Sequence, residues 1–178
     1  LGIYGEGFVY DAMAAIIVAN ELGVSIDDCV KNLRDYENQD GRFQVLEYEN
    51  LVIINDGYNA NPVSMRMALE TFSNLYLKNS YTIAILGDMR ELGDVSDERH
   101  KEIADYVKRC DFNEVYSLGQ LWKEFDIGEK IGSADEVAAL LNAKLQGLKG
   151  RKVAILLKGS HIHGLYQVPD FLKKLGVI

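Results

Sequence analysis

Four apolar runs of strand length, each followed by a stretch of helical character, constrain the fold of this chain more than any other feature. They are NLVIIND at 50–56, YTIAILGDM at 81–89, EVYSLG at 114–119 and RKVAILLKGS at 151–160. Strands apolar on both faces need cover on both faces, which is the habit of parallel sheets. The intervening segments carry helix signals. Asn61-Pro62 offers a cap and a first-turn proline, and Met65, Ala68, Leu69, Phe72, Leu75 and Tyr76 then share one stripe. Ser96 with Asp97 and Glu98 in the first turn starts a helix through Ile103, Ala104, Tyr106 and Val107. Ser133 and Glu136 have capping-box spacing ahead of VAALLNAKL, and LYQVPDFLKKL reads as a last helix that Pro169 begins or kinks. The alternation predicts an α/β fold: a Rossmann-like open, mainly parallel sheet with helices on both faces. RFQVLEYE, at 42–49, adds an alternating strand ahead of it.

The first forty residues differ. VYDAMAAIIVANEL at 9–22 predicts a largely buried helix ending at Gly23, and Ser25 caps a second one through Asp27, Cys29, Val30 and Leu33. The opening LGIYGEGF reads G-x-x-G-x-G with no strand before it, which suits a turn feeding the first helix better than a dinucleotide fingerprint. ENQDGR at 37–42 marks a linker or domain junction. Leu1 begins the chain in mid-pattern, as expected of a piece of a longer protein.

Charge and cysteine usage narrow the functional classes. Nineteen Lys and Arg against 27 Asp and Glu give a formal charge of −8, which argues against nucleic-acid and anionic-membrane partners. The apolar runs are too short to span a bilayer. Cys29 and Cys110 have no partners at metal spacing, so a reducing, cytoplasmic setting is expected.

In doubly wound sheets, ligands bind outside the carboxyl ends of the strands. Here those ends are 56–61, 87–91, 118–119 and 158–163. Asn55-Asp56-Gly57-Tyr58-Asn59-Ala60-Asn61-Pro62 brings acid and amide side chains out of a buried strand into a helix start. Asp56 suits ribose hydroxyls, and the turn suits amide donation to an anion; turn chemistry and helix capping account for Asn61 and Asn59 individually but not for Asp56, Tyr58 and both asparagines together. Lys158, Ser160, His161 and His163 supply a cation, a hydroxyl and two imidazoles, a set suited to a substrate carboxylate or phosphate. The two histidines lack an identifiable third metal ligand. The acidic group Asp88, Glu91, Asp94, Asp97 and Glu98 reads as solvated loop and helix cap, and His100 as a surface or packing residue. No GxxxxGK[ST] phosphate loop occurs in the sequence.

GRFQ at 41–44, NDGYNANPVSM at 55–65, LGDMRELGDVSDERH at 86–100 and KGS at 158–160 appear in this order, and together they resemble the C-terminal part of the Mur ligase family. GEGFVYDAMAAIIVANELG resembles the end of that family's central ATPase domain. The resemblance implies residues 1–41 as C-terminal helices of the central domain and 42–178 as the C-terminal Rossmann-like domain. Within the family, YNANP is the signature of members that join D-alanyl-D-alanine to UDP-N-acetylmuramoyl-tripeptide through an acyl phosphate, with ATP and Mg2+. The resemblance also implies roles: Arg42 at a nucleotide phosphate, Asp56 at the ATP ribose, and Tyr58, Asn59 and Asn61 along the cleft. Lys158, Ser160 and His161 then stand where the incoming dipeptide is held. The main phosphate and metal ligands are expected in the rest of the ligase chain, and no catalytic residue is assigned to this portion. Three positions depart from the family pattern. Gly7 and Asp11 stand where the family generally has His and Asn, and His161 where it often has Arg.

A related ligase with another acceptor, or a binding module without activity, shares the same fold-level features.

Overall fold

A computed structural model describes residues 6–178, and the chain divides into two compact units, Leu1–Gln39 and Asp40–Ile178. The glycine-rich turn expected at the start falls on residues 1–5, outside the described residues.

The first unit holds α1 (Glu6–Glu21) and α2 (Ile26–Arg34). α1 begins three residues earlier than its apolar pattern suggests. Ser25 caps α2 as expected, accepting from the Asp28 amide at 3.1 Å. The expectation of a largely buried first helix fails: Val9, Tyr10, Met13, Ile17 and Val18 are exposed, with Ala12 and Cys29 buried in this unit. A helix apolar all round cannot be covered by one nine-residue neighbour.

The second unit is built in the order β1 (Gln44–Glu47), β2 (Leu51–Asp56), α3 (Pro62–Tyr76), β3 (Tyr81–Gly87), α4 (Ser96–Val107), β4 (Glu114–Leu118), β5 (Glu129–Ile131), α5 (Ala134–Gly147), β6 (Val153–Lys158) and α6 (Val168–Lys174). The six strands lie in the order β1-β2-β6-β3-β4-β5; β1 is antiparallel to β2 and the other pairs are parallel. The doubly wound expectation therefore holds, with an antiparallel edge strand and a short edge strand, β5, added. Right-handed crossovers explain the layers. The steps from β2 to β3 and from β3 to β4 move one way along the sheet and put α3 and α4 on one face. The return from β5 to β6 runs the opposite way and puts α5 on the other, where α6 joins it.

Alternation along the strands fills both layers. Ile53, Ile83, Ile85, Ile155 and Leu157 pack with Val137 and Leu141 of α5 and with Leu165, Val168 and Leu172 around α6. Met65, Ala68, Leu69 and Phe72 of α3 are buried, as their stripe predicts, while Leu75 at its end is exposed. α4 starts at Ser96 with Asp97 and Glu98 in its first turn, as expected; a short 3-10 turn at Gly93–Val95 leads into it, and Val95 takes the cap position. Pro169 sits in the first turn of α6, so it begins that helix.

β6 is wholly buried and flanked by β2 and β3, which brings the carboxyl ends of these three strands together.

Candidate functional site

β2 and β6 run in parallel register, with Asp56 opposite Lys158 at their ends. The Asp56 carboxylate is held from two sides. Its Oδ1 accepts the Phe43 amide at 3.0 Å, and its Oδ2 lies 3.1 Å from Lys158 Nζ. The same ammonium donates to the Asn59 carbonyl and, at 3.5 Å, to the Asp56 carbonyl. Burial pushes the Asp56 carboxyl up and the Lys158 ammonium down, and their mutual attraction opposes both shifts. Lys158, expected at the incoming substrate, is instead enclosed: it is 1% exposed, and its hydrogens point at acceptors of this chain. The sequence cannot reveal this, because the acceptors lie about a hundred residues away.

The turn after β2 is shaped by close approach. A Cβ on Gly57 would lie 2.5 Å from the Tyr166 amide nitrogen, so the 165–167 turn can rest on this backbone only because residue 57 is glycine. Asn55 Nδ2 donates to the Tyr166 carbonyl at 3.0 Å, and the Tyr58 amide donates to the Gly41 carbonyl at 3.0 Å. Asn61 closes a capping box, accepting from the Ser64 amide at 2.8 Å while Ser64 Oγ accepts from the Asn61 amide at 3.1 Å. Asn59 Oδ1 accepts from the Ala60 amide at 2.8 Å. The amides of residues 58, 60, 61 and 64 are thus engaged inside the protein, and Pro62 has none. Fewer of the turn's amides are therefore left for an anion than its sequence suggests.

Above the turn, rings and cations gather on the surface. Arg42 Cζ lies 4.5 Å from the centroid of the exposed Tyr58 ring. His161 meets Tyr58 edge-on at 5.8 Å and stacks on Tyr166 at 5.6 Å with 8° between planes. Ser160 is buried, and its amide donates to the Asp88 carbonyl at 3.0 Å. The structure thus brings Arg42, Asp56, Tyr58, Asn59, Lys158 and His161 to one edge. Tyr166, unflagged in the sequence, belongs with them.

Asp88, read in the sequence as part of a solvated acidic loop, is 1% exposed. Its carboxylate accepts from the Gln120 and Leu121 amides at 3.1 Å each and lies 3.5 Å from His163 Nε2. A carboxylate that closes a neighbouring loop by two backbone bonds is worth burying. Glu91, Asp94, Asp97 and Glu98 remain exposed or half-buried, as a solvated loop requires. His100 is a packing residue that also ties the 88–96 loop to α4. Its Nε2 accepts from the Met89 amide at 3.1 Å, Nδ1 donates to the Ser96 carbonyl at 2.8 Å, and the ring meets buried Trp122 at 4.6 Å. Among the described residues, no three His, Cys, Asp or Glu side chains gather as a metal cluster, and no helix is long and apolar enough to cross a membrane.

Residues 41–161 match the family described as Mur ligase, glutamate ligase domain. The chain belongs to the Mur ligase family. It is 31% identical over 98% of its length to the UDP-N-acetylmuramoyl-tripeptide–D-alanyl-D-alanine ligase of Buchnera aphidicola subsp. Baizongia pistaciae, and spans 38% of that protein. With the enzyme of the same name from Escherichia coli K12, identity is 27% over 99% of this chain and 39% of the other. A crystal structure of MurF from Acinetobacter baumannii superposes with a TM-score of 0.83 at 27% identity, covering 96% of this chain and 38% of that one. This Mur ligase chain therefore spans about two fifths of the relatives it matches.

Proposed function

We propose that this chain is the C-terminal part of an ATP-dependent ligase that joins D-alanyl-D-alanine to UDP-N-acetylmuramoyl-tripeptide. The observation that carries the reading is the match to ligases of that name along 98–99% of the chain, through both of its compact units. On this reading residues 1–41 are the closing helices of the central ATPase domain, and 42–178 form the C-terminal domain. The exposed apolar residues of α1 would be covered by the remainder of the central domain, in the same ligase chain.

The residues at the carboxyl edge fit one end of a nucleotide. The Asp56 side chain is 17% exposed, and its carboxylate suits ribose hydroxyls. The exposed Arg42 guanidinium suits a phosphate oxygen, and Tyr58, Asn59 and Asn61 line the approach. Ser160 and His161 adjoin this edge and suit the dipeptide. ATP, when bound, supplies the phosphoryl group that activates the tripeptide carboxylate. This chain's residues contribute binding and orientation to that reaction. Mg2+ would be held mainly by the rest of the ligase, where the main phosphate and metal ligands are expected; among the described residues no three His, Cys, Asp or Glu side chains gather.

The test is phosphate release by the full-length protein, supplied with ATP, Mg2+, UDP-N-acetylmuramoyl-tripeptide and a panel of dipeptides. Release that depends on D-alanyl-D-alanine is expected, and its absence with turnover on another acceptor would refute the substrate assignment. Asp56→Ala should raise the KM for ATP by roughly tenfold or more, the loss of charge-assisted hydrogen bonds. An unchanged KM would remove Asp56 from the ribose.

A further inference from the structure

Lys158 presents a chemical puzzle that the proposed reaction does not use. A lysine at the end of a central strand, beside a substrate cleft, invites a role in gripping a substrate anion. Its side chain is 2% exposed, against 17% for its partner Asp56. The Nζ carries three hydrogens, and three acceptors surround it: Asp56 Oδ2, the Asp56 carbonyl and the Asn59 carbonyl. An ammonium so enclosed has neither a spare hydrogen nor an open path to ligand.

Geometry explains what it does instead. Asp56 carries two carboxylate oxygens with about four lone-pair directions. Lys158 occupies one on Oδ2, and the Phe43 amide occupies one on Oδ1. The Phe43 backbone is held in the left-handed region at φ 50°, an uncommon conformation for a bulky residue, and its ring is buried. Through the Asn59 carbonyl the same lysine also fixes the turn that carries Tyr58 and Asn59. The carboxylate is thereby clamped from behind by an ammonium and from the side by a strained strap. Each oxygen keeps one lone-pair direction beyond these contacts, and the side chain is 17% exposed, which matches the two acceptors that a pair of vicinal hydroxyls requires.

We propose that Lys158 is a positioning residue, which holds the Asp56 carboxylate ionised and aimed at the two hydroxyls of a ribose while touching neither nucleotide nor dipeptide. The inference rests on the ribose reading of Asp56 and assigns Lys158 a role in nucleotide recognition instead of acceptor recognition.

The experiment uses the full-length ligase and compares KM for ATP with KM for 2′,3′-dideoxy-ATP. Wild type should prefer ATP by roughly tenfold or more, as expected of hydrogen bonds to a charged group. Lys158→Met should bring this preference to within about twofold of unity by weakening ATP alone, with the KM for D-alanyl-D-alanine unchanged. Lys158→Gln, which retains an N–H donor, should recover part of the preference. General loosening of the fold would affect both nucleotides alike, so the ratio separates positioning from mere structural support. If Asp56→Ala abolishes the preference and Lys158→Met preserves it, the ribose reading stands and this inference is overturned. A rise in the KM for the dipeptide alone overturns it as well. If wild type shows no preference, the ribose reading itself falls. A second measurement needs no variant: amine acylation of the unliganded wild-type ligase, mapped by mass spectrometry, should leave Lys158 unmodified while exposed lysines such as Lys101 react. Ready acylation of Lys158 would overturn the proposal.

Discussion

Replacing Gly57 by alanine tests whether the candidate site is held by close backbone approach. A Cβ at this position would lie 2.5 Å from the Tyr166 nitrogen, 2.8 Å from the Leu165 carbonyl carbon and 2.9 Å from Leu165 Cβ. Two of these three atoms are backbone, so no side-chain rotation relieves the clash, and the 165–167 turn has to move off the end of β2. Overpacking of this kind costs about 1–3 kcal/mol. Displacing the turn also stretches the 3.0 Å bond from Asn55 Nδ2 to the Tyr166 carbonyl, and Asn55 is only 2% exposed. Leaving that amide unsatisfied adds about 1 kcal/mol. The sum, about 2–4 kcal/mol, corresponds to a fall of roughly 5–15 °C in melting temperature for a unit of this size. Gly147→Ala is the matched control, because Gly147 is the last residue of α5 and no atom lies within 4 Å of the added methyl. It should leave the midpoint unchanged or raise it slightly. Thermal denaturation followed by circular dichroism reads both. A Gly57→Ala protein melting within about 1 °C of wild type would refute the close-approach argument.

Three further predictions address separate features. Asn61→Ala removes the α3 cap and should cost about 1 kcal/mol in denaturant-unfolding stability, with Asn61→Asp close to wild type. Asp88→Ala leaves the Gln120 and Leu121 amides without their acceptor and should cost about 2–3 kcal/mol, with hydrogen exchange at those two amides rising first. Glu114 accepts from the Tyr81 and Tyr116 hydroxyls and pairs with Lys144. Burial opposes its ionisation, but the bonds from Tyr116, Tyr81 and Lys144 outweigh it and hold its carboxyl below the usual range. A depressed carboxyl stabilises the fold fully above its unfolded pKa and loses that stabilisation as pH falls through the folded value. The stability gap between wild type and Glu114→Gln, roughly 1 kcal/mol at pH 7, should therefore shrink as pH drops below about 4. A gap independent of pH would contradict the assignment.

Features governed by neighbours in sequence were legible from sequence, and those governed by distant partners were not. Ser25, Asn61 and Ser133 cap helices as read, since each accepts from an amide three residues on. The four core strands announced themselves because both their faces are buried. β5 did not, as Glu129 and Lys130 are exposed on a three-residue edge strand that leaves no apolar period to detect. The insertion of β6 between β2 and β3 was equally hidden, because strand order depends on which way each crossover turns. The same logic separates the site residues. Exposed members such as Tyr58 and His161 stood out as chemistry at strand ends. The burial of Asp88 and Lys158 depends on partners 32 and 102 residues away.

Charge at the carboxyl edge bears on which part of a nucleotide this chain can serve. A phosphate needs cations or unpaired amides, and the chain carries a net charge of −8. Lys158 is neutralised by Asp56, and four of the turn's amides, those of residues 58, 60, 61 and 64, are engaged within the turn and its capping box. Arg42 remains exposed at this turn, over the Tyr58 ring. One guanidinium can touch a phosphate but cannot balance a triphosphate. A carboxylate with open lone pairs is by contrast a hydroxyl acceptor, and it would repel phosphate placed directly against it. On the proposed nucleotide reading, the electrostatics thus favour a sugar-facing edge, with the phosphates turned away from Asp56 toward donors elsewhere. Salt gives the check. If the edge serves mainly the sugar, the roughly tenfold cost of Asp56→Ala in KM for ATP should persist between about 50 and 300 mM salt, because short hydrogen bonds are screened far less than separated charges. A cost that vanishes with salt would mean that Asp56 acts through long-range charge instead.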